Sequence, residues 1–140
     1  MELRPLGRSG LWVGRLGLGT MTWGGDVAPD TARALLRTFV DAGGDLVDTA
    51  PAYGLGRSER VVAQALNSIG PSRRPYVFTK CSLVWDAQRA ISHSLKAASV
   101  RQELEESLQR LGTDVIDLYQ VHWSKPWGLQ EPAPDIEEGW

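Results

Sequence analysis

Apolar positions along the chain change period several times, and each change marks an element. Leu3 to Leu6 and Leu11 to Val13 alternate around Gly7-Arg-Ser-Gly10, the pattern of a small hairpin. Arg15-Leu-Gly-Leu-Gly-Thr20 is then a short apolar run punctuated by glycines, which predicts a buried strand whose backbone something approaches closely. From Asp30, a candidate N-cap, the residues Ala32, Leu35, Leu36, Phe39 and Val40 recur at helical spacing, and Gly43-Gly44 supplies the stop.

The strand and helix pattern then repeats. Asp45-Leu-Val-Asp-Thr-Ala50 reads as a strand, and Val61, Val62, Ala65, Leu66 and Ile69 form a helical stripe that ends at Gly70-Pro71. Tyr76-Val-Phe-Thr79 is a third strand. A third helix opens at Ser99, with Gln102 at the capping-box spacing, buries Val100, Leu104, Leu108 and Leu111, and stops at Gly112. Val115 to Val121 gives a fourth strand, while Ala87 to Ala98 reads as loop or a short helix. Strands alternating with helices in this way predict an α/β fold with a parallel sheet. Pro134, Asp135 and Glu138 have the spacing of a further helix N-terminus, and the sequence stops at Trp140 inside its first turn. A helix that short cannot sustain itself. Residues 1–140 therefore read as one domain, cut at the start of a fourth helix, from something longer such as an eight-unit barrel of roughly 250 residues.

Composition removes several function classes. The 140 residues are 42% hydrophobic and 23% charged, with a formal net charge of -2. Lys and Arg are scattered, so there is no electrostatic footprint for nucleic acid or an anionic membrane surface. No apolar run approaches the ~20 residues that span a bilayer, and the start of the chain lacks a secretory signal; a cytoplasmic setting is expected. A single cysteine, Cys81, allows neither an internal disulfide nor a CxxC motif, and it reads as a small buried filler. With only His93 and His122 as imidazole ligands, no metal site is expected.

The residues that could carry chemistry gather at strand ends. Asp48 sits in the second strand, Tyr53 just past it, Lys80 directly after the third and His122 directly after the fourth. In a parallel barrel all four collect at the C-terminal rim, where catalytic groups of that architecture stand. Singly, each has an ordinary reading as packing or solvated surface. Together they suit acid catalysis of carbonyl reduction, because a phenol donates its proton poorly until a nearby cation stabilises the phenolate. Lys80 would be that cation, Asp48 would hold it, and His122 would hydrogen-bond the carbonyl or share the proton. The hydride would come from a nicotinamide.

At these residues the chain resembles the aldo-keto reductase family. The matching segments are Gly17-Leu-Gly-Thr-Met21, Asp48-Thr-Ala-Pro-Ala-Tyr-Gly54, Gly56-Arg-Ser-Glu59, Phe78-Thr-Lys80, Ser107-Leu-Gln-Arg-Leu-Gly112 with Thr113-Asp114, and Asp117-Leu-Tyr-Gln-Val-His122. They cover the chain from Leu3 to Trp123, and the branch resembled includes sugar-type reductases and potassium-channel β-subunits. The resemblance implies the N-terminal hairpin and about four units of a TIM (β/α)8 barrel. It also implies Tyr53 as general acid, tuned by Lys80 and Asp48, with His122 orienting a small-molecule carbonyl. NADPH is the implied cofactor, with Gly19, Thr20, Met21 and Asp48 on its nicotinamide side. Neither G-x-G-x-x-G nor a P-loop occurs, in keeping with a family that binds NADPH without a Rossmann domain. Its pyrophosphate and adenosine contacts come chiefly from the second half of the barrel, so the isolated chain is expected to be inactive and to self-associate through open barrel edges.

Trp23, Trp85 and Trp123 follow the first, third and fourth strands and are candidate walls of a substrate pocket, or equally rim packing. Trp12, Trp127 and Trp140 suggest no role. A different class of function, a non-catalytic nucleotide-sensing or regulatory subunit, shares the same motifs.

Overall fold

The structure is a computed structural model and describes residues 1–124. The anticipated helix start at Pro134, Asp135 and Glu138, with Trp127 and Trp140, lies outside the described residues. The order of elements is β1 (Leu3–Pro5), β2 (Trp12–Gly14), β3 (Leu18–Gly19), α1 (Pro29–Asp41), β4 (Leu46–Asp48), α2 (Arg57–Leu66), β5 (Tyr76–Cys81), β6 (Leu83–Trp85), β7 (Ile91–His93), α3 (Ala97–Leu111) and β8 (Leu118–Val121). β1 and β2 form the antiparallel hairpin expected of the first residues. β3, β4, β5 and β8 form one parallel sheet in that spatial order, each joined to the next through a helix.

Side chains alternate across a strand, so this sheet has two faces with different chemistry. One face carries Val47 and Val77, both fully buried with Ala32 and Leu36 of α1, Val61, Val62 and Ala65 of α2, and Leu111 of α3. The neighbouring positions Asp48, Lys80 and Gln120 take the opposite face. Among the described residues no helix is long and apolar enough to cross a membrane.

Several boundaries differ from the periodicity, each for a local reason. The run expected as a buried strand gives only the two-residue edge strand β3, and Leu16, before it, is 64% exposed. Ala28, not Asp30, caps α1; Pro29 opens the helix, where its missing N–H is no loss, and Asp30 falls in the first turn. Leu35 lies off the packed stripe and is exposed. α2 ends at Leu66, before Ile69, and β8 begins only at Leu118. β5 continues to Cys81, so Lys80 lies within the strand. α3 begins two residues before Ser99, whose hydroxyl donates to Glu103 Oε1 at 3.3 Å instead of capping. Val100, Leu104 and Leu108 are only half-buried, and the fully covered positions of α3 are Glu103, Ser107 and Leu111. Residues 87–98, which the sequence reads as loop or a short helix, hold β7, which pairs antiparallel with β6.

Candidate active site

Tyr53 is carried by a tight loop between β4 and α2. Gly54, Leu55 and Gly56 all have positive φ, and Gly56 N–H donates to Pro51 O at 2.6 Å, closing the loop. The segment Gly56-Arg-Ser-Glu59 anchors that loop. Ser58, fully buried, donates to Thr20 O at 2.7 Å, lies 2.9 Å from Thr20 Oγ1 and 3.1 Å from Thr49 Oγ1, and its N–H reaches Tyr53 O at 3.2 Å. Glu59, also fully buried, accepts from Thr79 Oγ1 at 2.7 Å and Arg110 Nε at 2.5 Å. The strand before Tyr53, the helix after it and α3 are thus tied together beneath the site.

The four expected residues do come together on the inner face. Lys80 Nζ donates to Asp48 Oδ2 at 2.7 Å, to Thr49 O at 2.8 Å and to Tyr53 Oη at 3.4 Å. The ammonium also sits 5.0 Å from the Tyr53 ring centre. The His122 ring meets the Tyr53 ring edge-on, with centres 5.6 Å apart. Burial lowers the His122 pKa below its ordinary 6.5, the Lys80 charge lowers it further, and Asp48 opposes both. Burial and the Lys80 charge both favour the neutral imidazole, and among the described residues its Nδ1 has no hydrogen-bond partner. A phenol beside a lysine that a carboxylate holds, with an imidazole across from it, can donate its proton while the ammonium stabilises the phenolate left behind.

Sequence reasoning missed Gln120. Its Nε2 donates to Asp48 Oδ1 at 2.9 Å, so both carboxylate oxygens are engaged. The strand register, which places Gln120 beside Lys80, is what brings it there.

Other expected positions divide. Gly19 pairs with Asp48 at the sheet edge, and open space stands where a Cβ would project. Met21, close by in sequence, is 68% exposed. An open edge and an exposed thioether fit a flat apolar ring laid beside Asp48. Thr20 does not line that opening: it is fully buried, and its hydroxyl donates to Asp48 O at 3.0 Å. Trp23, 3% exposed, belongs to the core between sheet and helices, so its side chain is no wall of an open pocket. Trp85 lines a cleft of about 510 Å³ with Pro51, Glu103 and Arg110, its ring 5.7 Å from the Arg110 guanidinium. Trp123 is 40% exposed and stacks on His122 at 6.5 Å. Cys81 is buried, and its thiol is pushed up to about 11 by that burial.

The aldo/keto reductase family matches residues 15–140. The aldo-keto reductase YhdN of Bacillus subtilis is 40% identical over 144 residues, which is 99% of this chain and 43% of that protein. The NADH-specific methylglyoxal reductase of Escherichia coli is 39% identical over 138 residues, 88% of this chain and 42% of that protein. The holo form of the aldo-keto reductase AKR11C1 from Bacillus halodurans superposes with a TM-score of 0.77 at 33% identity, over 86% of this chain and 40% of that structure. The chain thus spans less than half the length of the relatives it matches, and its parallel sheet with covering helices corresponds to half of a TIM barrel. From its motifs, its topology and the family match over most of its length, the chain belongs to the aldo/keto reductase family.

Proposed function

We propose that this chain carries the proton-donating side of a nicotinamide-dependent carbonyl reductase that converts aldehydes or ketones to alcohols. The observation that carries the reading is the Lys80 ammonium bridging Asp48 Oδ2 and the Tyr53 hydroxyl. Tyr53 gives its proton to the carbonyl oxygen as negative charge develops there. Lys80 stabilises the phenolate that remains, and Asp48 and Gln120 keep the ammonium aimed at it. His122, favoured in its neutral form, orients the carbonyl from the other side of the Tyr53 ring. A nicotinamide bound against Gly19, Met21 and Asp48 would supply the hydride. Trp123, stacked on His122, would cover the substrate. NADPH is the form implied by the family resemblance, whereas the Escherichia coli relative is named as NADH-specific. The cytoplasmic setting read from composition belongs to the same proposal.

The test is a chimera in which this chain replaces the matching 43% of the Bacillus subtilis relative. Reduction of a small aldehyde is followed with NADH and NADPH in parallel. Turnover is expected with at least one of them, and the chain alone is expected to be inactive. Tyr53→Phe should lower turnover by ~10²- to 10⁴-fold and leave cofactor affinity near its original value. A Tyr53→Phe chimera with full turnover would show that another group supplies the proton.

A further inference from the structure

Ser82 follows the strand that carries Lys80 and takes no part in proton donation, yet its geometry is unusual. It is fully buried, and its φ of +85° lies in the left-handed region that residues other than glycine rarely occupy without support. Each polar group it has is engaged. Its N–H donates to Glu103 Oε2 at 3.0 Å, its carbonyl accepts from Ser94 N–H at 3.1 Å, and its Oγ accepts from Trp123 N–H at 3.0 Å.

The surrounding chain completes a clasp. The β6–β7 hairpin starts at the next residue, and its register sets Leu83 opposite His93. His93 Nε2 lies 2.8 Å from the carbonyl oxygen of Trp123. One residue before Ser82, Cys81 O accepts from His122 N–H at 3.0 Å. The backbone leaving β8 is therefore held at His122 N–H, Trp123 N–H and Trp123 C=O, all by residues of β5 and the hairpin that continues it. Glu103, only 6% exposed, is fixed in turn by the Ser99 hydroxyl. Burial pushes its carboxyl up to about 7, and the Ser82 N–H and Ser99 hydroxyl pull the other way.

We propose that Ser82, fixed in its left-handed conformation by Glu103, is a positioning residue that sets the His122 ring against Tyr53, with Trp123 stacked on it. The proposal deepens the functional reading above and rests on it for the role of His122. The physical reason is reach: His122 lies just beyond the last residue of β8, where Cys81 O still holds its N–H but the next backbone bonds come from Ser82 and His93. Without the clasp, the segment would be free to swing the imidazole away from the Tyr53 ring and towards water.

The test is NMR titration of the His122 ring in the full chain. The groups that set its environment are Lys80 on β5, Asp48 on β4 and the Tyr53 ring in the following loop. In the native sequence the midpoint is expected below 6.5. Ser82→Ala and Ser82→Gly both remove the hydroxyl, and the glycine also relieves the backbone, so the pair separates loss of the clasp from misfolding. Both should raise the midpoint towards 6.5, because the ring loses part of its burial and its closeness to Lys80. Glu103→Ala should do the same, and Glu103→Gln, which keeps an acceptor for Ser82 N–H, should not. In the chimera, Ser82→Gly should lower kcat roughly tenfold with little change in cofactor KM. An unmoved His122 midpoint in Ser82→Gly with a native amide spectrum would overturn the proposal. A chimera without turnover before any substitution would instead defeat the functional reading, and the titration would still decide the positioning role.

Discussion

The Lys80 ammonium lies 2.7 Å from the Asp48 carboxylate, although the strand register sets Asp48 beside Phe78 and Lys80 beside Gln120. The contact is diagonal, within reach only because the lysine stem is long enough to lean back across the sheet. Gln120 closes the triangle from β8 by donating to the other oxygen of Asp48. The carboxylate therefore has one donor on each oxygen, and the lysine it holds is delivered to the Tyr53 hydroxyl.

Gln120→Leu should free one oxygen of Asp48 and let Lys80 drift from Tyr53. A hydrogen bond to a charged group is worth about 1.5–3 kcal/mol. Part of that appears in the transition state, so kcat/KM in the chimera should fall about tenfold. Steady-state kinetics with the same aldehyde decides the matter, and an unchanged kcat/KM would remove Gln120 from the catalytic apparatus.

The placement of Asp48, Tyr53, Lys80 and His122 was legible because strand ends in a βα series share one rim whatever the details of packing. Gln120 was not, since its partner lies 72 positions away and depends on a register that periodicity does not reveal. The buried polar residues of α2 and α3 were hidden for a related reason. Glu59 and Glu103 occupy helix positions that charge alone assigns to solvent, and Arg110, which pairs with Glu59, lies 51 residues further on. Trp23 shows the limit for aromatics: a tryptophan after a strand suits a pocket wall or a core equally, and the core won. The β6–β7 hairpin escaped notice because its strands have three residues each and Arg89, not a glycine, takes positive φ in its turn.

Arg110→Met should destabilise the fold strongly. The Glu59 side chain is 0% and the Arg110 side chain 9% exposed, and without the guanidinium the carboxylate keeps, among the described residues, the Thr79 hydroxyl as partner. Breaking one side of a buried ion pair costs about 3–5 kcal/mol. Urea unfolding monitored by circular dichroism should show this loss, and Glu59→Gln added to Arg110→Met should recover part of it. A loss within experimental error would mean that water screens the pair.

Glu103→Gln should change how stability depends on pH. The folded carboxyl is raised to about 7 from 4.5, so between these values the folded chain binds more protons than the unfolded one, and stability falls as pH rises. Glutamine carries no such titration. The variant should gain on the native sequence as pH climbs through this window, keep that gain at pH 8, and lose it below about 4.5. Urea midpoints at pH 4.5, 6 and 8 measure the trend, and parallel curves for both proteins would contradict it.

Gly56→Ala should disturb the loop that presents Tyr53 for two separable reasons. The residue has φ of +82°, and a Cβ there would stand 2.6 Å from Arg110 Cδ and 3.0 Å from its Nε, the atom that donates to Glu59. Gly54, two residues earlier, also has positive φ, but its Cβ would meet only Arg57 Cβ at 3.2 Å. Backbone strain of about 1–2 kcal/mol should affect both alanine variants. The collision with Arg110 should affect Gly56→Ala alone and make it the less stable of the two. If the collision is real, Arg110→Ala should abolish most of the additional loss, because no atom then stands at the Cδ and Nε positions. The double-mutant cycle between positions 56 and 110 should then show strong coupling, read from urea midpoints. Additive losses would mean that Arg110 steps aside without consequence and that strain alone requires glycine there.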